Sequence, residues 1–344
     1  MKAFYFIRTP LQYINSIELK NEKYSEVDNS SLILLCDYKQ SLIQFKQIVD
    51  PNDWDEVIYL WSSFSKMSNY SILNLLLTFF RKRRLDKIIN NVQSSDIVVW
   101  GNLSSNWCHY YFKKNNSDYP VTVVDDGFAT INLIDKINKG KSLLYNKGFM
   151  NKIENFILRP KDEIQFNELS FFSVFKIQNP ELKIELNNYN FWKSKNENVT
   201  PIVKKVYFIG QPLVFQNILS KKQYSNLLNN IFLFYTKKGY ECYYLPHRSC
   251  VLDYLDPNWK VIKNELPLEF MMMNNKNEIP SVFATFYSTA VYNLSRLFDQ
   301  NEVFFHYWNI DEHELFINHS KNVFNYLELN PLERQQIYLT SRLN

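Results

Sequence analysis

The sequence predicts an α/β protein built from two Rossmann-like halves. Short apolar stretches typical of buried parallel strands alternate with longer stretches of helical periodicity. The alternation extends to about residue 150, loosens, and resumes after residue 200. At 344 residues with 46% hydrophobic side chains, the chain is long enough for two domains with ordinary cores.

Helical patterns fill several of the gaps between the predicted strands of the first half. These strands are Ala3–Ile7, Leu32–Cys36, Glu56–Leu60, Asp96–Trp100 and Val121–Val124. The clearest helical stretches are Pro10–Lys20, Ser41–Val49 and Ser71–Asn90. Pro10 fits the first turn of a helix, with Thr9 as its N-cap. We expect one Rossmann-like domain over residues 1–155.

The pattern loosens from about Asn151 to Thr200. This stretch is rich in Asn, Lys and Glu and ends in a polar run, so we expect residues 156–200 to connect two domains. The predicted strands of the second half are Lys205–Ile209, Glu241–Leu245, Ser281–Thr285 and Glu302–His306. Its helical stretches are Lys222–Lys237, Ser288–Leu297 and a tail from about Leu327. We expect a second Rossmann-like domain over residues 201–344.

Charge, cysteine content and hydropathy argue against several classes of protein. A formal net charge of +4 is modest for this length, and nucleic-acid binding requires a concentrated basic surface. The four cysteines are scattered, with no CxxC pair, which argues against a zinc site or a disulfide framework. The apolar start is shorter than the roughly 7–15 residues of a signal peptide, and no segment approaches the ~20 apolar residues of a transmembrane helix. We expect a cytoplasmic protein.

Polar motifs stand at the ends of several predicted strands. They are VVDDG (Val123–Gly127), FIGQPL (Phe208–Leu213), YLPHRS (Tyr244–Ser249) and FYSTA (Phe286–Ala290). In open α/β sheets, ligands bind at the carboxyl edge of the strands. The motifs supply two carboxylates, a glycine turn, a His-Arg pair and two adjacent hydroxyls to such an edge. Together these groups suit a catalytic site in which a carboxylate acts as the base and the His-Arg pair and the hydroxyls hold a phosphate.

Asp125 and Asp126 follow directly on the strand Val121–Val124. Successive strand residues point to opposite sides, so at most one carboxylate can face a given side. One could act as a general base, because burial beside a like charge raises a carboxyl pKa, while the other holds the turn. The alternatives are a turn or helix N-cap without catalysis, and a metal site, for which two adjacent carboxylates are a weak signature.

The motifs of the second half suit a phosphate group. Arg248 offers a planar fork of donors, and His247 offers a hydrogen bond or a proton. A solvated turn is the alternative at this position. Ser288 and Thr289 stand at the start of a predicted helix, where hydroxyls and free amides form a phosphate site. Ordinary N-capping by Ser288 is the alternative there.

Glycine is scarce, with six in the chain, so its positions are informative. Gly101, Gly127 and Gly210 stand at or just after strand ends, where glycine permits positive φ or the close approach of a ligand. A tight turn is the alternative, and it has most weight for Gly101. Glu269, in LPLEF, could bond ribose hydroxyls or lie on the surface of a helix.

One further stretch combines apolar and basic residues. Leu73–Phe80 is followed by Arg81, Lys82, Arg83 and Arg84. An apolar helix face that ends in cations could rest on an anionic membrane surface. The alternative is the solvated end of a Rossmann helix.

Taken in order, these strings resemble the bacterial sialyltransferases of glycosyltransferase family 52, which are related to the polysialyltransferases and the marine-type sialyltransferases. TPLQ (Thr9–Gln12), FIGQPL, the PHR segment, PLE (Pro267–Glu269) and FYSTA carry the resemblance across nearly the whole chain. The DDG at 125–127 resembles the acidic-acidic-glycine motif of the related families. His247 resembles their His-Pro motif, although the proline here precedes the histidine.

The resemblance implies an inverting GT-B sialyltransferase with two Rossmann-like domains around a central cleft. It would move sialic acid from CMP-sialic acid to a hydroxyl, such as that of galactose, on lipooligosaccharide or capsule. Asp125 would be the base, with Asp126 as the fallback, and His247 would bind the CMP phosphate. The residues implied to bind the CMP-sugar are Gly210, Gln211, His247, Arg248, Glu269, Ser288 and Thr289.

We expect no cofactor and no metal. A nucleoside monophosphate leaves with less charge than a diphosphate, and a His, an Arg, hydroxyls and a helix N-terminus can stabilise it. A homodimer would fit this family, and a peripheral contact with the inner face of the inner membrane would fit the basic helix. The open alternatives are another CMP-nonulosonic acid or a hexose as the donor, and a non-catalytic nucleotide-binding partner in a glycan assembly complex.

Overall fold

The computed structural model describes residues 1–36, 39–61, 71–115, 120–144, 149–160, 169–177, 179–196, 199–247, 252–263, 266–275 and 278–343. The chain divides into two compact units, Met1–Phe191 and Trp192–Asn344. Each unit contains one sheet of parallel strands with connecting helices, so the predicted α/β class with two Rossmann-like halves is confirmed. Within the described ranges, none of the helices combines the length and hydropathy of a bilayer-spanning segment.

The first unit is built on a parallel sheet. Its strands are β1 (Ala3–Ile7), β2 (Ser30–Cys36), β3 (Glu56–Trp61), β4 (Ile97–Trp100), β5 (Val121–Val124), β6 (Leu169–Ser173) and β7 (Lys183–Leu186). Its helices are α1 (Pro10–Lys23), α2 (Lys39–Ile48), α3 (Ser71–Ile89), α4 (Asn106–Lys114), α5 (Ala129–Asn138) and α6 (Phe149–Leu158). The spatial order is β3-β2-β1-β4-β5-β6-β7. The order reverses between β1 and β4, and a doubly wound sheet binds ligands at such a switch point.

The core of the first unit forms around its central strands. All residues of β1 are buried, and Phe6 stacks on Trp100 of β4 with ring centroids 4.4 Å apart. Leu85 and Ile89 of α3 and Leu158 of α6 belong to the same apolar cluster as Phe6. α3 and α6 therefore cover the same face of the sheet. Burial on both faces explains why the central strands read as continuous apolar runs.

The second unit repeats this plan. Its strands are β8 (Ile202–Ile209), β9 (Glu241–Leu245), β10 (Lys260–Val261), β11 (Pro280–Thr285), β12 (Phe304–Asn309) and β13 (Gln335–Leu339). α7 (Asn190–Lys195) lies at the boundary, and the further helices are α8 (Lys221–Lys237), α9 (Leu268–Asn274), α10 (Thr289–Leu297) and α11 (Glu314–Leu329). The spatial order is β10-β9-β8-β11-β12-β13, which places the switch point between β8 and β11.

The expected connection over residues 156–200 is wrong. β6 and β7 extend the first sheet, and the boundary between the units falls after Phe191. β7 is an edge strand, and its residues are exposed or half-buried. An edge strand does not need the continuous apolar run that marks a central one. Beyond β7, Asn187 and Tyr189 are buried, and the Tyr189 hydroxyl donates a 2.7 Å hydrogen bond to Asn15 Oδ1.

The expected helical tail from about Leu327 is also wrong. α11 ends at Leu329, and Pro331 cannot continue a helix because it has no N–H to donate. The residues that follow form β13, parallel to β12, with Gln336 opposite His306. The tail therefore completes the second sheet as an edge strand.

Candidate active site

Polar side chains from three chain segments meet at the carboxyl edge of the first sheet. The segments are the β1–α1, β4–α4 and β5–α5 connections, and their strands are immediate neighbours. They bring together Thr9, Asn102 and Asp126. This cluster lies at the switch point of the first unit, where the fold favours a ligand site.

Thr9 caps α1, as the sequence predicted. Its hydroxyl accepts from Gln12 N at 3.3 Å, while Gln12 Oε1 accepts from Thr9 N at 3.2 Å and from Arg8 N at 2.8 Å. This reciprocal capping box satisfies amides that the first helical turn leaves without partners. A Cβ on Gly101 would lie 2.1 Å from Gln12 Oε1. Gly101 is therefore required for the close packing of the capping side chain.

Asp126 is held at the centre of the cluster by two donors. Thr9 Oγ1 donates to its Oδ1 at 3.2 Å, and Asn102 Nδ2 donates to its Oδ2 at 3.0 Å. The side chain lies deep among neighbouring atoms but remains partly exposed. Burial raises its pKa, and the Gln12, Thr9 and Asn102 side chains together with the positive charge of Arg8 act in the opposite direction. The group is a half-buried carboxylate of increased basicity, held in place by its hydrogen-bond donors.

Asp125 faces a different environment. It is 2% exposed, and its Oδ2 accepts a 2.5 Å hydrogen bond from Val174 N, just after β6. Desolvation raises its pKa to about 7. The carboxyl group therefore ties the end of β5 to the end of β6, and it is enclosed by protein. The two adjacent carboxylates have partners on different elements, as alternation along a strand predicts.

Sequence reasoning missed two residues of this cluster. Asn102 follows Gly101 after β4 and donates to a carboxylate 24 positions away. Arg8 Nη1 donates to Ser105 Oγ at 2.9 Å, and its charge lowers the pKa of Asp126. The only sequence signal for them is their position directly after strands that flank the switch point.

In the second unit, Gln211 joins the ends of two neighbouring strands. Its Oε1 accepts a 2.7 Å hydrogen bond from Tyr287 N in the β11–α10 connection. Its backbone N donates to the Tyr224 hydroxyl at 3.2 Å. A Cβ on Gly210 would lie 2.2 Å from the Tyr244 hydroxyl, so this glycine is required by packing. Gly210 and Gln211 therefore shape the edge, and the Gln211 side chain is buried.

The residues predicted to hold phosphate stand at the same edge. Ser288 is the N-cap residue of α10 but makes no side-chain capping bond, so ordinary capping does not occupy its hydroxyl. Ser288 and Thr289 are half-buried, as is His247 after β9. Their strands, β9 and β11, flank β8. Arg248 lies outside the described residues.

Glu269 is buried against another helix. It is 6% exposed in the first turn of α9, and its Oε1 accepts a 2.8 Å hydrogen bond from Asn293 Nδ2 of α10. Burial raises its pKa. The surface-helix alternative is therefore wrong, and Glu269 fixes α9 against the helix whose N-terminus carries Ser288. Among the described residues, no group of three or more His, Cys, Asp or Glu is arranged to hold a metal ion.

Comparison with known proteins identifies the fold. No protein-family model matches the chain, and no curated protein matches its sequence. Arabidopsis thaliana UGT89C1 complexed with UDP-L-rhamnose is similar over 99% of this chain and 86% of its own, with a TM-score of 0.50 and 9% identity. A UDP-glucosyltransferase from Polygonum tinctorium capable of glucosylating indoxyl is similar over 98% and 85%, with a TM-score of 0.51 and 9% identity.

A putative UDP-N-acetylglucosamine 2-epimerase from Listeria monocytogenes is similar over 95% of this chain and 89% of its own, with a TM-score of 0.50 and 10% identity. At such identities the likenesses show the fold alone. The chain has the GT-B fold predicted from its sequence.

Proposed function

We propose that the protein is an inverting glycosyltransferase that moves sialic acid from CMP-sialic acid to a hydroxyl, such as that of galactose, on a bacterial surface glycan. The observation that carries the proposal is the fixing of Asp126 by Thr9 and Asn102 at the switch-point edge of the first unit. A GT-B fold and the family resemblance of the strand-end motifs support it.

Asp126 is the proposed base. It is partly exposed and its donors hold both carboxylate oxygens, whereas Asp125 is enclosed and bonded to Val174 N. The carboxylate takes the proton of the acceptor hydroxyl as the hydroxyl oxygen bonds to the anomeric carbon. The bond from that carbon to the phosphate oxygen breaks, and CMP leaves with the electron pair. Attack from the side opposite the leaving group inverts the configuration.

The second unit is proposed to bind the donor. The Ser288 hydroxyl, which makes no capping bond to α10, suits the leaving phosphate, as do Thr289 and the first amides of that helix. His247 can donate a further hydrogen bond. Gln211 keeps the β8 and β11 edges together by its bond to Tyr287 N. The roles of Arg248 and Glu269 in CMP binding, and a homodimer, stay predictions of the resemblance.

The direct test is CMP release from CMP-sialic acid by the purified chain, with and without lactose. UDP-glucose serves as the matched donor control, because UDP-sugars occur in the similar structures. We expect lactose to stimulate CMP release and sialyl-lactose to form. Thermal stabilisation by CMP without release would shift the proposal to another CMP-activated donor. If the chain neither releases CMP from CMP-sialic acid nor is stabilised by CMP, the proposal is wrong.

A further inference from the structure

The solvent-facing side of α3 is apolar between residues 75 and 80. Leu75, Leu76, Phe79 and Phe80 are 39%, 45%, 43% and 56% exposed. Their spacing of one, three and one residues places them on one side of the helix. The opposite side packs on the sheet, where Leu85 is buried. A helix outside a Rossmann sheet normally presents polar residues to water, so this row marks an interaction surface.

The same side of α3 continues as a row of cations. Arg83, Arg84 and Lys87 are exposed and follow at the same spacing. The Arg83 guanidinium lies 5.1 Å from the centre of the Phe79 ring. Each exposed residue of α3 whose side chain is described is therefore apolar or cationic. The row changes from apolar to basic along the helix axis.

α6 presents a similar pair beside α3. Phe156 is 69% exposed, and Lys152 is exposed one turn before it. Leu158 of α6 lies in the same core cluster as Leu85 of α3, so the two helices lie on one face of the sheet. Their exposed sides point away from that sheet together, and we call this combined surface the α3–α6 face.

We propose that the α3–α6 face docks on an anionic phospholipid bilayer. Phenylalanine and leucine side chains can insert at the boundary between headgroups and acyl chains, while arginine and lysine pair with lipid phosphates. Charge decides between this occupant and a second copy of the chain. In two-fold contact between two such faces, Arg83, Arg84 and Lys87 would meet either the same cations or the apolar row of the other copy. Neither arrangement supplies a counter-charge, whereas an anionic surface neutralises them.

Docking in this way would place the candidate active site near the lipid. α3 follows β3 and precedes β4, and both strands are parallel, so the helix starts towards the carboxyl edge and runs back to the amino edge. The apolar row occupies the half of α3 towards the carboxyl edge. Asp126 lies at that same edge. If the proposed function holds, an acceptor glycan carried on a lipid would suit this placement.

The test is sedimentation of the purified full chain with phosphatidylcholine vesicles, with or without one quarter phosphatidylglycerol. We expect binding to the anionic vesicles that falls with added salt. Leu76→Ser/Phe80→Ser and Arg83→Glu/Arg84→Glu should each reduce the partition coefficient on the order of tenfold or more. Leu315→Ser/Leu329→Ser, on the exposed side of α11, is the matched control and should bind as wild type. Unfolding midpoints confirm that each variant is folded.

The vesicle assay does not use turnover, so its failure and the failure of the proposed transferase are distinguishable. Absence of wild-type binding to anionic vesicles would overturn the docking proposal, as would binding that both α3 variants retain. Light scattering gives a further outcome. A dimer that Leu76→Ser/Phe80→Ser dissociates would assign the face to a second copy of the chain and overturn membrane docking.

Discussion

Thr9 donates its hydroxyl to the Asp126 carboxylate at 3.2 Å, across 117 positions of sequence. The same hydroxyl accepts from Gln12 N and so caps α1. One side chain therefore fixes the start of the first helix and the orientation of the proposed base. This double use ties the geometry of the site to the stability of α1.

Asp126→Asn should reduce transfer to lactose by about 10²–10⁴-fold, because an amide cannot accept the hydroxyl proton. CMP affinity should stay within twofold of wild type, since the proposed donor site is in the other unit. Asp135→Asn, at an exposed ion pair on α5, is the matched control and should keep full activity. Activity in Asp126→Asn close to that of wild type would exclude it as the base.

Removal of a donor to Asp126 should shift the pH dependence of kcat/KM. The base acts when ionised, so activity falls as pH decreases through its pKa, which burial holds above 3.8. Thr9→Val and Asn102→Ala remove bonds that favour the anion, so the acid limb should move up by about one pH unit. Thr9→Ser keeps the hydroxyl and should keep the wild-type profile. Identical profiles in all variants would contradict the assignment.

Asp125→Asn should stabilise the protein increasingly as pH rises. The pKa of Asp125 is raised from 3.8 to about 7, so the folded state binds a proton that the unfolded chain has released. The stabilisation that this bound proton gives the folded state is complete below pH 3.8 and is lost as pH rises towards 7. The variant should gain up to roughly 1.4 kcal/mol per pH unit over wild type within this window. Urea unfolding at pH 5, 6 and 7 measures the gain, and a constant difference would contradict it.

His247→Ala and Ser288→Ala should each weaken CMP binding by about tenfold, the scale of a lost hydrogen bond to a charged group. Isothermal titration calorimetry measures the affinity. Ser281→Ala is the matched control, because Ser281 lies at the opposite end of β11 and donates to Lys205 O. Unchanged CMP affinity in both site variants would exclude His247 and Ser288 from phosphate binding.

Gly101→Ala should destabilise the first unit by about 1–3 kcal/mol, because the added methyl would lie 2.1 Å from Gln12 Oε1. The nearest atoms around that methyl all belong to Gln12. The same substitution in a Gln12→Ala background should therefore cost much less. A double-mutant cycle from urea unfolding measures the coupling, and additive effects would show that the two residues do not interact.

Local patterns in the sequence were sufficient for several features. Strands such as Ala3–Ile7, Val121–Val124 and Glu241–Leu245 were predicted at their observed bounds, because short, largely apolar runs are typical of strands inside a parallel sheet. Thr9 and Pro10 predicted the start of α1 because capping depends on neighbours within one turn. The placing of polar motifs after strands predicted which edge of each sheet would carry them.

Only the tertiary structure decided the partners of the polar site residues and the place of the edge strand. It distinguished the enclosed Asp125 from the half-buried Asp126, and it brought Asn102 to the latter. It also assigned the polar strand Lys183–Leu186 to the first sheet, where an edge position requires no apolar run. The physical reason is the same in each case. Hydrophobic period and turn chemistry act over a few residues, whereas the partners of a buried polar group depend on the spatial order of strands far apart in the chain.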